Sequence, residues 1–160
     1  MKKVYLEQII KVIRGKLLAG QIYSEDWISG ISLDSRKVQA GELFFALPGE
    51  RVDGHAYVAA ALAAGAAGAV VCRWPEEGFS LSGNEPVVNT KRIPLIQVDN
   101  VLGALQELAA WYRNQFTLPA IGVTGSTGKT TTKDLIAAAL SKRRNVLKTA
   151  GNYNNEIGVP

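Results

Sequence analysis

The stretch Ala120-Ile121-Gly122-Val123-Thr124-Gly125-Ser126-Thr127-Gly128-Lys129-Thr130-Thr131-Thr132-Lys133 decides how this chain is read. A short apolar strand enters a glycine loop, and a lysine and three threonines then open a helix. Small residues let a backbone curl so that successive N–H groups point inward at an anion. The helix that follows adds its first-turn N–H groups and the positive end of its dipole. Lys129 supplies a point charge for outer phosphate oxygens, and the Thr130 hydroxyl is placed to hold a magnesium ion. The stretch is therefore expected to bind a nucleoside triphosphate through Gly125, Ser126, Thr127, Gly128, Lys129, Thr130 and Thr131.

The widespread phosphate-loop pattern has a glycine where this chain has Val123. The match is to a shorter form, Gly-x-x-Gly-Lys-Thr. Glycine-rich turns from strand to helix also occur without ligands, but a lysine directly after Gly128 has little packing reason to be there.

Outward from the loop, composition sets bounds. The chain has 160 residues, of which 47% are hydrophobic and 20% charged, the balance of an ordinary globular protein. A net charge of +4 suits anionic small molecules. The densest basic run, Lys142-Arg143-Arg144, falls where a helix should end and complements its dipole, so it does not argue for nucleic acid. Cys72 is the only cysteine, so no internal disulfide forms, and its place in Ala69-Val70-Val71-Cys72 reads as a buried strand position. No signal peptide and no bilayer-spanning run is read, so the protein is expected in the cytoplasm.

Toward the N-terminus, Leu6, Ile9, Ile10, Ile13 and Leu17 recur at helical spacing, with a stop at Gly20. Ile28 to Leu33 and Glu42 to Leu47 read as strands joined by a polar turn ending at Gly41. An alanine-rich helix follows from about His55 to Ala64, then a strand from Gly68 to Cys72. Arg73 to Arg92 reads as a surface excursion, and Leu95 to Val98 as a further strand. Asp99 or Asn100 caps a helix with the apolar stripe Val101, Leu105, Leu108, Tyr112 and Phe116. Thr117-Leu118-Pro119 then breaks the chain. A strand through Val123, the helix to about Lys142 and a strand near Val146-Leu147 complete the reading.

The expected architecture is α/β. Residues 1–99 form a small α/β domain, 100–118 a connecting helix and linker, and 119–160 the truncated start of a phosphate-loop ATPase domain with a parallel sheet. One strand–helix–strand element is too little for a finished nucleotide-binding domain, which implies the front part of a longer protein.

Three segments together resemble the Mur ligases, the enzymes that build the peptide of peptidoglycan. The loop Thr124 to Thr132 is similar to their ATP loop. Gly151-Asn152-Tyr153-Asn154-Asn155-Glu156-Ile157-Gly158-Val159-Pro160 resembles a segment typical of the member that adds D-alanyl-D-alanine, with Tyr153 where leucine is frequent. Leu33-Asp34-Ser35-Arg36, Gly41 to Gly49 and Asp53-Gly54-His55 resemble the family's UDP-binding domain.

The resemblance implies a ligase. ATP would phosphorylate the carboxylate of UDP-N-acetylmuramoyl-tripeptide, and D-alanyl-D-alanine would attack the acyl phosphate, in the synthesis of the cell wall on which shape and division depend. A bare carboxylate is a poor acceptor of an amine, because oxide is a poor leaving group. Lys129 would pair with the β- and γ-phosphates as the catalytic cation. Thr130 and Glu156 would hold magnesium, and Asn152 and Asn155 would contact the nucleotide. Leu33, Ser35, Glu50, Arg51 and Val52 match family positions that contact the uridine nucleotide. Arg36 has the two-pronged geometry for a carboxylate or phosphate. Read without the resemblance, Asp34-Ser35-Arg36 is a turn with a surface ion pair, Glu156 a helix-start glutamate, and the asparagines turn formers. His55 opens a helix and is assigned no acid or base role.

The resemblance also implies a monomer that neither binds nucleic acid nor enters a membrane, and residues 1–160 alone are expected to lack ligase turnover. Alternatives are a related ligase, such as the tripeptide-forming enzyme or a folylpolyglutamate synthetase, and a phosphate-loop module whose hydrolysis drives a conformational switch.

Overall fold

A computed structural model describes residues 3–49, 52–75, 81–82, 85–86 and 93–149. In chain order the elements are β1 (Val4–Tyr5), α1 (Leu6–Val12), β2 (Lys16–Ala19), β3 (Trp27–Ile28), β4 (Gly30–Ser32), β5 (Glu42–Phe45), α2 (Val58–Ala63), β6 (Gly68–Val71), β7 (Leu81–Ser82), β8 (Glu85–Pro86), β9 (Leu95–Gln97), α3 (Val101–Arg113) and α4 (Lys129–Ser141). Short 3₁₀ turns lie at Ser35–Lys37 and Gly54–Tyr57. The chain divides into two compact units, Met1–Trp111 and Tyr112–Pro160.

The front unit is built on a five-stranded sheet in the order β2-β9-β6-β5-β4. β4, β5, β6 and β9 run parallel, and β2 joins β9 antiparallel at one edge. Every residue of β6 is buried, as a central parallel strand requires when both faces are covered. Strand alternation sends Phe44, Ala69, Val71 and Leu95 to one face, where they pack with Val58, Ala61 and Leu62 of α2. Leu43, Phe45, Val70 and Ile96 alternate to the other face and are also buried. α1 and α3 bring further buried residues, Leu6, Ile9, Val101, Leu105 and Leu108. The small side chains of α2 let its axis approach the sheet closely.

Several local expectations change. The first helix ends at Val12 rather than running on to Leu17. Arg14 takes a positive φ of 52°, and Leu17 lies in β2, paired with Ile96. The apolar spacing that suggests one helix serves two elements, because the edge of β9 offers a ladder that a helix could not use. Gly20, at φ +84°, therefore follows a strand, and a side chain there would collide with the Ile93 carbonyl. β4 and β5 run parallel, so the polar turn between them is a crossover through the Ser35–Lys37 turn. Cys72 lies just beyond β6 and is half-buried rather than in the core. Most of the expected surface excursion is outside the described residues. The antiparallel pair β7–β8 falls within it.

In the second unit, no strand forms among the described residues. The segments around Val123 and Val146-Leu147 lack an assigned ladder partner, and Leu147 is fully exposed at 100%. A strand is a paired object: without a neighbour its N–H and C=O groups close no ladder.

Candidate functional site

Because β4, β5 and β6 are parallel, the loops that leave their carboxyl ends share one edge of the front unit. In open parallel sheets that edge is where ligands bind. Leu33, Ser35 and Arg36 follow β4. Val52 lies on the loop after β5 and is 60% exposed. Glu50 and Arg51 lie outside the described residues. The Ser35–Lys37 turn packs against α2, which the β5 loop leads into.

The β4 turn is held by its own charges. The Ser32 hydroxyl donates to the Asp34 carbonyl at 3.1 Å. The Asp34 carboxylate accepts the Arg36 amide at 3.1 Å, and the Arg36 guanidinium grips it with Nε at 2.9 Å and Nη2 at 2.8 Å. This is the ion-paired turn, and an incoming anion must compete with Asp34 for the Arg36 fork. The guanidinium bonds, then the Arg36 amide, hold the Asp34 carboxyl at about 2, below its ordinary 3.8. Since the folded value is the lower one, the pair favours the folded state above the ordinary carboxylate range and loses that effect as pH falls through about 2. A carbon-13 titration should therefore find the Asp34 midpoint near 2, and Arg36→Met should move it up toward the ordinary value.

After β5 the chain closes on itself: the Gly54 amide donates to the Leu47 carbonyl at 2.9 Å. A Cβ on Gly54 would lie 2.8 Å from the backbone of Ala46 and Leu47, so only glycine fits. Next to it stands a polar cluster. His55 is 2% exposed. Its Nδ1 lies 2.6 Å from Asp53 Oδ1, and its Nε2 accepts the Cys72 amide at 3.0 Å. Asp53 Oδ1 also accepts the His55 amide at 2.9 Å, and its other oxygen pairs with Arg73. Burial opposes ionisation of Asp53, but the bonds from His55 and Arg73 outweigh it and lower the carboxyl below its usual range. His55 thus does more than open a helix. Tyr57, 44% exposed on the same 3₁₀ turn, lies within electrostatic reach of Arg36. Sequence reading passes over Tyr57 and Arg73. The available signals were an aromatic side chain in an alanine-rich run and a cation directly after an apolar strand.

The second unit carries the phosphate loop. Gly125 has φ +145°, and Gly128 has φ +76° at the N-cap of α4. A Cβ on Gly128 would meet nothing within 4 Å, so the requirement for glycine there is conformational. The first intrahelical bond runs from the Thr132 amide to the Gly128 carbonyl at 2.9 Å. The N–H groups of the first turn lie beyond the reach of the helix's own carbonyls, the usual anion seat. Lys129 is half-buried, and its ammonium folds over the loop, 2.5 Å from the Gly125 carbonyl and 3.4 Å from that of Ser126. Ser126, Thr127, Thr130 and Thr131 are exposed around it. A curled backbone, a helix start and a lysine over the loop fit a polyphosphate.

Further along, Lys133 donates to the Thr149 carbonyl at 2.8 Å, and Lys148 pairs with Asp134 at 2.8 Å, so residues near 148 are tied to α4. Asn152, Asn154, Asn155 and Glu156 lie outside the described residues. Among the described residues no group of three His, Cys, Asp or Glu could hold a metal. Arg113, also passed over in the sequence, caps the turn after α3 by donating to the carbonyls of Phe116 at 3.0 Å and Leu118 at 2.5 Å.

Residues 27–113 match the model described as Mur ligase family, catalytic domain, and residues 123–160 match the Mur ligase middle domain. The chain belongs to the Mur ligase family. The UDP-N-acetylmuramoyl-tripeptide--D-alanyl-D-alanine ligase of Synechocystis is 46% identical over 99% of the chain. A crystal structure of MurF from Acinetobacter baumannii superposes with a TM-score of 0.82 at 34% identity, covering 99% of this chain and 32% of that one. A MurF ligase from Thermotoga maritima in complex with ADP gives 0.64 at 35% identity, over 80% of this chain and 27% of that one. This Mur ligase chain spans 33% of the length of the Synechocystis relative, about a third. The α/β reading agrees with these neighbours, and the parallel sheet that the structure describes is that of the front unit.

Proposed function

We propose that this chain is the front part of an ATP-dependent ligase that joins D-alanyl-D-alanine to UDP-N-acetylmuramoyl-tripeptide through an acyl phosphate. The observation that carries the reading is the phosphate loop, with Lys129 drawn over its carbonyls at 2.5 Å, in a chain whose relatives are named for that ligation.

Bound ATP supplies the phosphoryl group that turns the tripeptide carboxylate into an acyl donor with a stable leaving group. The loop amides from Gly125 to Thr131 and the Lys129 ammonium grip the polyphosphate and offset charge on the transferring group. Lys129 exchanges the Gly125 and Ser126 carbonyls for phosphate oxygens, so its ammonium is partnered before and after binding. Thr130 on the first turn of α4 and Glu156 would hold magnesium, with Asn152 and Asn155 against the nucleotide. At the carboxyl edge of β4 and β5, Leu33, Ser35, Arg36, Glu50, Arg51 and Val52 would receive the uridine nucleotide.

The protein would act as a monomer in the cytoplasm, contributing to peptidoglycan synthesis and through it to cell shape, division and the cell cycle. Among the described residues no helix is long and apolar enough to cross a membrane.

The test is phosphate release by the whole protein. Release should require ATP, the uridine-linked tripeptide and D-alanyl-D-alanine together. Release with ATP alone at the full rate would favour a hydrolytic switch and overturn the reading. Full turnover with a single amino acid in place of the dipeptide would favour another ligase of the family.

A further inference from the structure

We propose that His55 is a positioning residue for the uridine nucleotide: its ring fastens the loop after β5 to the end of β6, so that Val52 and Tyr57 are presented beside the Ser35–Arg36 turn. The inference rests on the proposed role of that sheet edge.

A buried imidazole is costly unless both nitrogens are satisfied. Here both are, by groups on different parts of the chain. Nε2 accepts the Cys72 amide at 3.0 Å, so the ring proton belongs on Nδ1, which faces Asp53 Oδ1 at 2.6 Å. Asp53 is in turn held by the His55 amide and by Arg73. The Gly54 amide closes the loop against Leu47 at 2.9 Å. The residues after β5, the Gly54–Tyr57 turn and the residues after β6 are thereby tied at one point. An apolar side chain could fill the same volume but could not join these backbones. With one nitrogen on an amide and the other on a carboxylate, the ring has no free position for proton transfer. Its work is geometric. Val52 stands three residues before it and Tyr57 two after, both exposed; the 3₁₀ turn that carries Tyr57 and the Ser35–Lys37 turn of the β4 loop both pack against α2.

The experiment compares His55→Ala, His55→Asn, His55→Gln and Asp53→Asn in the whole protein. His55→Ala should raise KM for the uridine-linked tripeptide on the order of tenfold or more, with kcat and the KM for ATP within about twofold. Asn keeps a donor toward Asp53 and Gln an acceptor toward the Cys72 amide, so each should recover part of the loss. Calorimetry with uridine diphosphate should follow the same order. An unchanged KM in a folded His55→Ala protein would overturn the inference, as would a parallel decline of every parameter with the folded fraction. If His55→Ala does not fold, the Asn, Gln and Asp53→Asn proteins carry the same comparison. Wild-type protein that fails to bind the uridine-linked tripeptide would instead overturn the proposed function. Wild type and His55→Ala binding it equally would overturn the positioning role alone.

Discussion

Replacing Lys129 with methionine in the whole protein should lower turnover by about a thousandfold or more. Phosphoryl transfer offers the protein little covalent chemistry, so its work is placing charge where charge develops. Lys129 is the cation the phosphate loop directs over itself, 2.5 Å from the Gly125 carbonyl and one residue beyond the left-handed Gly128. Methionine matches its length and half-burial but leaves the polyphosphate without its ammonium. Stability should hardly move, within about 0.5 kcal/mol, because the bonds lost are to the exposed Gly125 and Ser126 carbonyls, which water can satisfy. Steady-state turnover and urea unfolding of the same protein separate the two effects. Arginine should rescue poorly, since its planar fork does not fit a cradle shaped for a compact charge. Undiminished turnover in the methionine protein would remove the loop from the mechanism.

Phe44→Ala should cost the front unit about 3–5 kcal/mol, a large share of the roughly 5–15 kcal/mol that holds a domain folded. Phe44 is buried in β5, between β4 and β6, and packs with Val58, Ala61 and Leu62 on one side and Ala69, Val71 and Leu95 around it. Two of these neighbours, Ala61 and Ala69, are alanines with nothing to extend into the void, so the cavity stays open and the cost falls at the high end. Urea unfolding checks the value. A loss below about 1 kcal/mol would mean that α2 collapses onto the sheet and that this core is more compliant than its packing implies. Because β5 leads into the turn at Asp53, the proposed uridine-nucleotide binding should be lost at the same, lowered urea concentration as the fold.

What could be read from the sequence was what has local physical meaning. Gly125, Gly128, Lys129 and the threonines specify a loop and a helix start by backbone conformation alone, and the helix begins at Lys129. The stripe Val101, Leu105 and Leu108 needs only the helical period, and Asn100 caps that helix by accepting the Gly103 amide at 3.0 Å. The ion-paired turn at Asp34 and Arg36 was also legible, since its partners are two residues apart. Features with distant partners were not. Leu17 fits a helical stripe, and only the edge of β9 makes it a strand residue. His55 looks like a helix opener until Cys72, far along the chain, is found donating to its ring. The apolar segments around Val123 and Val146 have the composition of strands, but composition does not supply a ladder.

The central claim is that a carboxylate is activated by phosphorylation in the grip of this loop. The most direct measurement supplies the whole protein with ATP, D-alanyl-D-alanine and a uridine-linked tripeptide carrying oxygen-18 in its terminal carboxylate. One labelled oxygen should appear in each phosphate released, because the acyl phosphate breaks between carbonyl carbon and bridging oxygen. Unlabelled phosphate accompanying the new amide bond would contradict the account.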